Sequence, residues 1–149
     1  MLEDFIEFNE LKAEIITFST NTPTNNLIAS NALPPKSTIK VQIFNSKKNE
    51  PLIAITPFHS ELNIKIIKLI MGEEEILEMN DKEAIETIGY GKECVPPISI
   101  YGIKIIIDKS LENKRVLYSR VGEKSFLKVP LSEILKINDD ITFEDIIKK

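Results

Sequence analysis

The spacing of apolar and polar positions changes along the chain, and each change predicts an element. Leu2, Phe5, Ile6 and Leu11, with acidic residues between them, form a stripe of helical period. Residues 14–18 read as a strand. Thr22 or Thr24 is placed to cap a short helix carrying Leu27, Ile28 and Ala32, and Pro34 and Pro35 close it. Period two follows, with Ile39, Val41 and Ile43 on one side and Lys40 and Gln42 on the other. After Pro51 comes the run 52–56, the pattern of a strand buried on both faces.

Ser60 can cap the next helix, whose Leu62, Ile66, Leu69 and Ile70 share a face and which ends near Gly72. A short strand is expected at 76–79. Asn80 and Glu83 have the spacing of a capping box and open a helix running to Ile88. Residues 89–100 form a long irregular loop containing Pro96 and Pro97. Three strands at 103–107, 115–119 and 125–129 make a closing meander, with turns at 108–113 and around Gly122. Two short helices end the chain, the second with Thr142 and Asp145 at capping-box spacing.

Helices and strands interleave early without the regular alternation of a doubly wound parallel sheet. The expected class is therefore α+β: a mixed, largely antiparallel sheet curled toward a barrel and flanked by helices. No repeat, linker or low-complexity stretch divides residues 1–149, so one domain is expected.

Charge and cysteine content narrow the setting. A net charge of −4 argues against a general nucleic-acid binder. Residues 104–128 nevertheless carry seven basic and three acidic side chains. This strip either holds the end of one nucleic acid strand or is the solvated face of a set of strands. No apolar stretch is long enough to span a bilayer, the start is acidic, and Cys94 stands alone. A cytoplasmic protein without membrane partners is expected.

The usual catalytic devices are missing. His59 is the sole histidine and lies just before a helix start, which suits a loop or capping neighbour better than a general base. Cys94 is either a reactive thiol or a small residue in a tight loop. One His and one Cys do not make a standard zinc site, and neither a phosphate loop nor a dinucleotide fingerprint is present. No metal and no cofactor are expected.

Four stretches, in order, resemble the YbaK/prolyl-tRNA-synthetase-associated family. They are Ala32-Leu33 with Thr38-Ile39-Lys40-Val41-Gln42-Ile43; Ala54-Ile55-Thr56-Pro57 with Glu61-Leu62-Asn63-Ile64-Lys65; Glu86-Thr87-Ile88-Gly89-Tyr90 through Val95-Pro96-Pro97; and Ile105-Ile106-Ile107-Asp108 with Val116-Leu117-Tyr118-Ser119 and Gly122. The resemblance covers roughly residues 1–137. It implies hydrolysis of mischarged aminoacyl-tRNA, with the acceptor end of tRNA as ligand and prolyl-tRNA synthetase as a candidate partner. The expected substrate is tRNA-Pro carrying a small wrong amino acid such as Ala or Cys. Lys40 corresponds to the family's characteristic lysine and is the expected catalytic residue; apart from the resemblance, it reads as a solvated strand lysine.

Glu93, Cys94, Val95, Pro96, Pro97 and Gly122 are the expected substrate-binding residues, with backbone N–H donors at 93–95 and the prolines as stiffeners. Glu93 stands where the family has a glycine, adding bulk and negative charge beside an anionic ligand. The alternative is a non-catalytic member that binds tRNA or a synthetase.

Overall fold

The computed structural model describes residues 2–149. Elements run α1 (Leu2–Phe8), β1 (Glu14–Thr17), α2 (Thr24–Ala29), β2 (Ile39–Ser46), β3 (Pro51–Pro57), α3 (Ile64–Met71), β4 (Ile76–Glu78), α4 (Asp81–Ile88), β5 (Lys104–Asp108), β6 (Val116–Arg120), β7 (Ser125–Pro130), α5 (Leu131–Ile137) and β8 (Ile141–Glu144). A five-stranded sheet has the order β4-β2-β3-β5-β8, and a three-stranded sheet the order β1-β7-β6. The former is antiparallel at β4-β2 and β2-β3 and parallel at β3-β5 and β5-β8; the latter is antiparallel throughout.

The α+β class and mixed, largely antiparallel pairing are as the sequence predicts. The two sheets meet at a bridge between Thr38 and Tyr118, and the barrel does not close. Between them lies the main core, built from Ile39, Val41 and Ile43 of β2, Ile53 and Ile55 of β3, Ile105 and Ile107 of β5, and Leu117, Leu127 and Val129 of the smaller sheet. The opposite face of the larger sheet buries Phe44, Leu52, Ala54 and Ile106 with Ile67 of α3. A third cluster joins Leu27 and Ile28 of α2 to Leu33 and Phe126.

Several local expectations are corrected. The final segment forms β8 rather than a helix, because Ile141 to Glu144 pair in parallel with Ile105 to Asp108. Strand β5 lies in the larger sheet, so the closing meander contains only β6 and β7. Helix α3 is capped by Asn63, whose side chain accepts from the Lys65 amide at 3.2 Å, not by Ser60. Ile67 supplies its fully buried position, while Leu69 is 82% exposed. Helix α2 has no side-chain cap: Pro23 precedes it and Thr24 is already helical. The Asn80–Glu83 capping box is present in both directions, at 2.8 and 3.0 Å. Among the described residues, no helix is long and apolar enough to cross a membrane.

Candidate active site

A cleft of about 730 Å³ opens between the two sheets, within the size range of small-molecule sites. One wall is the edge of β2 from Ile39 to Gln42. Strand β4 pairs with β2 only at Phe44 to Ser46, so this part of the edge is not covered by β4. Backbone alternation decides what the edge presents. Ile43 points its carbonyl away from β3, to the Met79 amide at 3.0 Å, so Val41, two residues earlier, turns its peptide groups toward the same open side.

The facing wall is the turn at 92–95. The Gly91 carbonyl accepts from the Cys94 amide at 3.0 Å, and Asp81 Oδ1 accepts from the Lys92 amide at 3.0 Å. Of the three backbone donors expected here, Cys94 N–H is therefore spent within the turn. Among the described residues, Glu93 N–H and Val95 N–H have no acceptor. Cys94 instead reaches the cleft as part of its lining; burial raises its thiol pKa, with Glu93, Asp81 and Glu123 adding to the rise and Arg120 opposing it.

Lys40 is half-buried and lines the same cleft. Its Nζ donates to the Ser60 carbonyl at 2.9 Å. That anchor is a neutral carbonyl and uses one of the ammonium's three N–H donors. Among the described residues no carboxylate forms an ion pair with Lys40, although the exposed Glu61 is near enough to feel its charge. A shallower groove on the other side of Lys40 contains Gln42, Glu61 and Leu62.

The structure thus brings Lys40, Glu93, Cys94 and Val95 to one cavity. Pro96 and Pro97 are buried behind the turn and do not line it. Gly122 lies beside the rim residue Glu123, its amide donating to the Ser125 carbonyl at 3.2 Å. His59 is exposed, meets Phe58 edge-on and is not among the lining residues. The lining also includes Asn21, Thr24, Asn25, Lys92, Ser119 and Arg120, none of which had been singled out for the site from sequence. Arg120 stood within the basic strip, but nothing in its local sequence separates it from the other cations there.

A family model of the aminoacyl-tRNA editing domain matches residues 21–136. The crystal structure of the hypothetical protein APE2540 superposes with a TM-score of 0.85 at 19% identity, covering 99% of both chains. A candidate trans-editing enzyme for prolyl tRNA synthetase superposes with a TM-score of 0.79 at 16% identity, covering 99% of this chain and 95% of that one. At these identities the two likenesses speak for the fold. No curated protein matches the chain in sequence.

Proposed function

The chain belongs to the aminoacyl-tRNA editing domain family, and from that premise we propose that it hydrolyses the ester between a small, wrongly attached amino acid and the terminal ribose of tRNA. The observation that carries this reading is the shared cleft: Lys40 on β2 and residues 92–95 of the turn line one cavity.

The ester is already activated, so orientation and charge stabilisation supply most of what is needed. In the reaction a water oxygen bonds to the acyl carbon, the carbonyl oxygen gains negative charge, and the bond to the ribose oxygen then breaks. A proton passes to that leaving oxygen. Lys40 stabilises the developing charge or holds the terminal phosphate, and Glu93 N–H and Val95 N–H serve as further donors. A ribose hydroxyl activates the water, which is compatible with a cleft lined by neither histidine nor a triad. Alanine or cysteine on tRNA-Pro is the first substrate to examine, with prolyl-tRNA synthetase as a candidate partner.

The decisive experiment measures amino acid release from a panel of mischarged small-residue tRNAs by wild type and Lys40→Ala. Release by wild type and its loss in the folded variant support the proposal; no release from any member of the panel by folded wild type overturns it. A second reading, non-catalytic binding of the acceptor end, is favoured by Glu93, an acidic residue lining the cleft. Under that reading, Glu93→Gly gives hydrolysis that wild type lacks.

A further inference from the structure

We propose that Arg120 is a positioning residue that fixes the width of the cleft, and through it the size of acyl group admitted; the second part rests on the deacylase reading above. Arg120, the last residue of β6, gathers acceptors from two separate segments. Its Nε donates to Thr24 Oγ1 at 3.1 Å and its Nη2 to the Thr22 carbonyl. On the other side, Nη1 donates to the Gly122 carbonyl at 3.2 Å and the Glu123 carbonyl at 2.7 Å. The guanidinium carbon sits 4.6 Å from the ring centre of Phe126, which is fully buried.

These contacts matter because the Thr22–Thr24 segment runs between two anchors, the Phe18 amide on the Lys124 carbonyl at 2.8 Å and Leu27 and Ile28 packed with Phe126. Between them Arg120 supplies the hydrogen bonds across the chain. Helix α2 begins without a side-chain cap. Other hydrogen bonds in this segment stay local: Thr20 with Thr22, and Asn26 and Leu27 with the Pro23 carbonyl. Among the described residues, the bonds from Arg120 are the ones that tie residues 19–25 to the rest of the chain. Asn21, Pro23, Thr24 and Asn25 line the cleft, as does Glu123 on the other side of the clamp. Loss of the clamp frees one wall while β2 and the 92–95 turn stay in place.

A planar fork with five donors can serve four acceptors on two sides, whereas a lysine ammonium has three donors on a flexible stem. Arg120→Lys therefore keeps the charge and loses the clamp. This separates positioning from attraction of phosphate, which lysine would preserve.

Two measurements test the proposal. The first is hydrogen exchange at the Asn26 and Leu27 amides of the free protein, with Arg120→Lys and the milder Thr24→Val. Exchange about tenfold faster in Arg120→Lys, and a smaller increase in Thr24→Val, is expected. The second is kcat/KM for alanyl, seryl, threonyl and valyl esters of one tRNA. The preference for the smallest ester should fall about tenfold in Arg120→Lys. Unchanged exchange overturns the clamp, and faster exchange with unchanged preference overturns its role in selection. If wild type releases nothing from any ester, the deacylase reading and the selection role fall together, and exchange decides the clamp alone.

Discussion

Asp81 Oδ1 lies 2.7 Å from the point where a Cβ on residue 91 would stand, and the same oxygen accepts from the Lys92 amide. Glycine at position 91 thus lets the first turn of α4 hold the cleft turn directly. Gly91→Ala must push the carboxylate aside and release that amide. Because Asp81 is exposed, the change should alter stability by less than about 1 kcal/mol. KM for mischarged tRNA should rise several-fold, and Asp81→Ala should match it. Urea unfolding with steady-state kinetics checks both; an unchanged KM in both variants rejects this role for the contact.

Lys40→Met should lower deacylation by roughly a hundredfold, the order of about 3 kcal/mol expected for one lost electrostatic contact. Ser60→Ala should leave the rate unchanged, since Lys40 uses the main-chain carbonyl of residue 60. Single-turnover release measures both. A large loss in Ser60→Ala would mean that its hydroxyl, not its carbonyl, matters.

Asp108 is 1% exposed, with Oδ1 accepting from the Ile146 amide at 3.0 Å and Oδ2 from the amide and hydroxyl of Ser110. Asp108→Ala strands the buried Ile146 amide and should cost about 1–3 kcal/mol in urea unfolding, the range for one unsatisfied buried group, while the donors of the exposed Ser110 can turn to water. Asp108→Asn, which keeps an acceptor, should cost less. Equal costs would show that charge, rather than pairing, is what position 108 supplies.

Cys94 should alkylate late. Its thiol is held above the ordinary range first by burial, so it keeps its proton where an exposed thiol, near pH 8.5, has begun to lose it. The midpoint of the iodoacetamide rate against pH should exceed that of the unfolded chain. The sign for folding follows. The native state holds the proton longer, so this group's contribution to stability is intact below the unfolded thiol pKa and declines as pH rises beyond it. Cys94→Ser should remove that decline, and a midpoint at or below the unfolded value would contradict the assignment.

What could be read from sequence was local. The Asn80–Glu83 box and the alternation of Ile39, Lys40 and Val41 depend on neighbours, and both appear as expected. The start of α3 was misread because Ser60 and Asn63 are both good caps. A tertiary bond accompanies the choice, the Asn63 amide donating to the Ile146 carbonyl at 2.8 Å. Thr142 and Asp145 have helical spacing, but the waiting edge of β5 overrides it. The cleft was visible as far as Lys40 and the 93–95 turn. Arg120 was not, because its Thr22 and Thr24 partners lie 98 and 96 residues away and carry no local pattern.

That β8 follows its partner β5 in the chain has a consequence for biosynthesis. Residues 141–148 pair with β5 and also close on the α3 entry, through the Asn63 bond and the Lys148 amide to the Glu61 carbonyl. While the ribosome is still adding them, the nascent chain carries Ile105, Ile106 and Ile107 on an unpaired strand edge, an arrangement that invites association with neighbouring chains. Shielding of that edge during synthesis therefore waits for β8, which emerges well after β5 and lies far in sequence from the cleft residue Lys40.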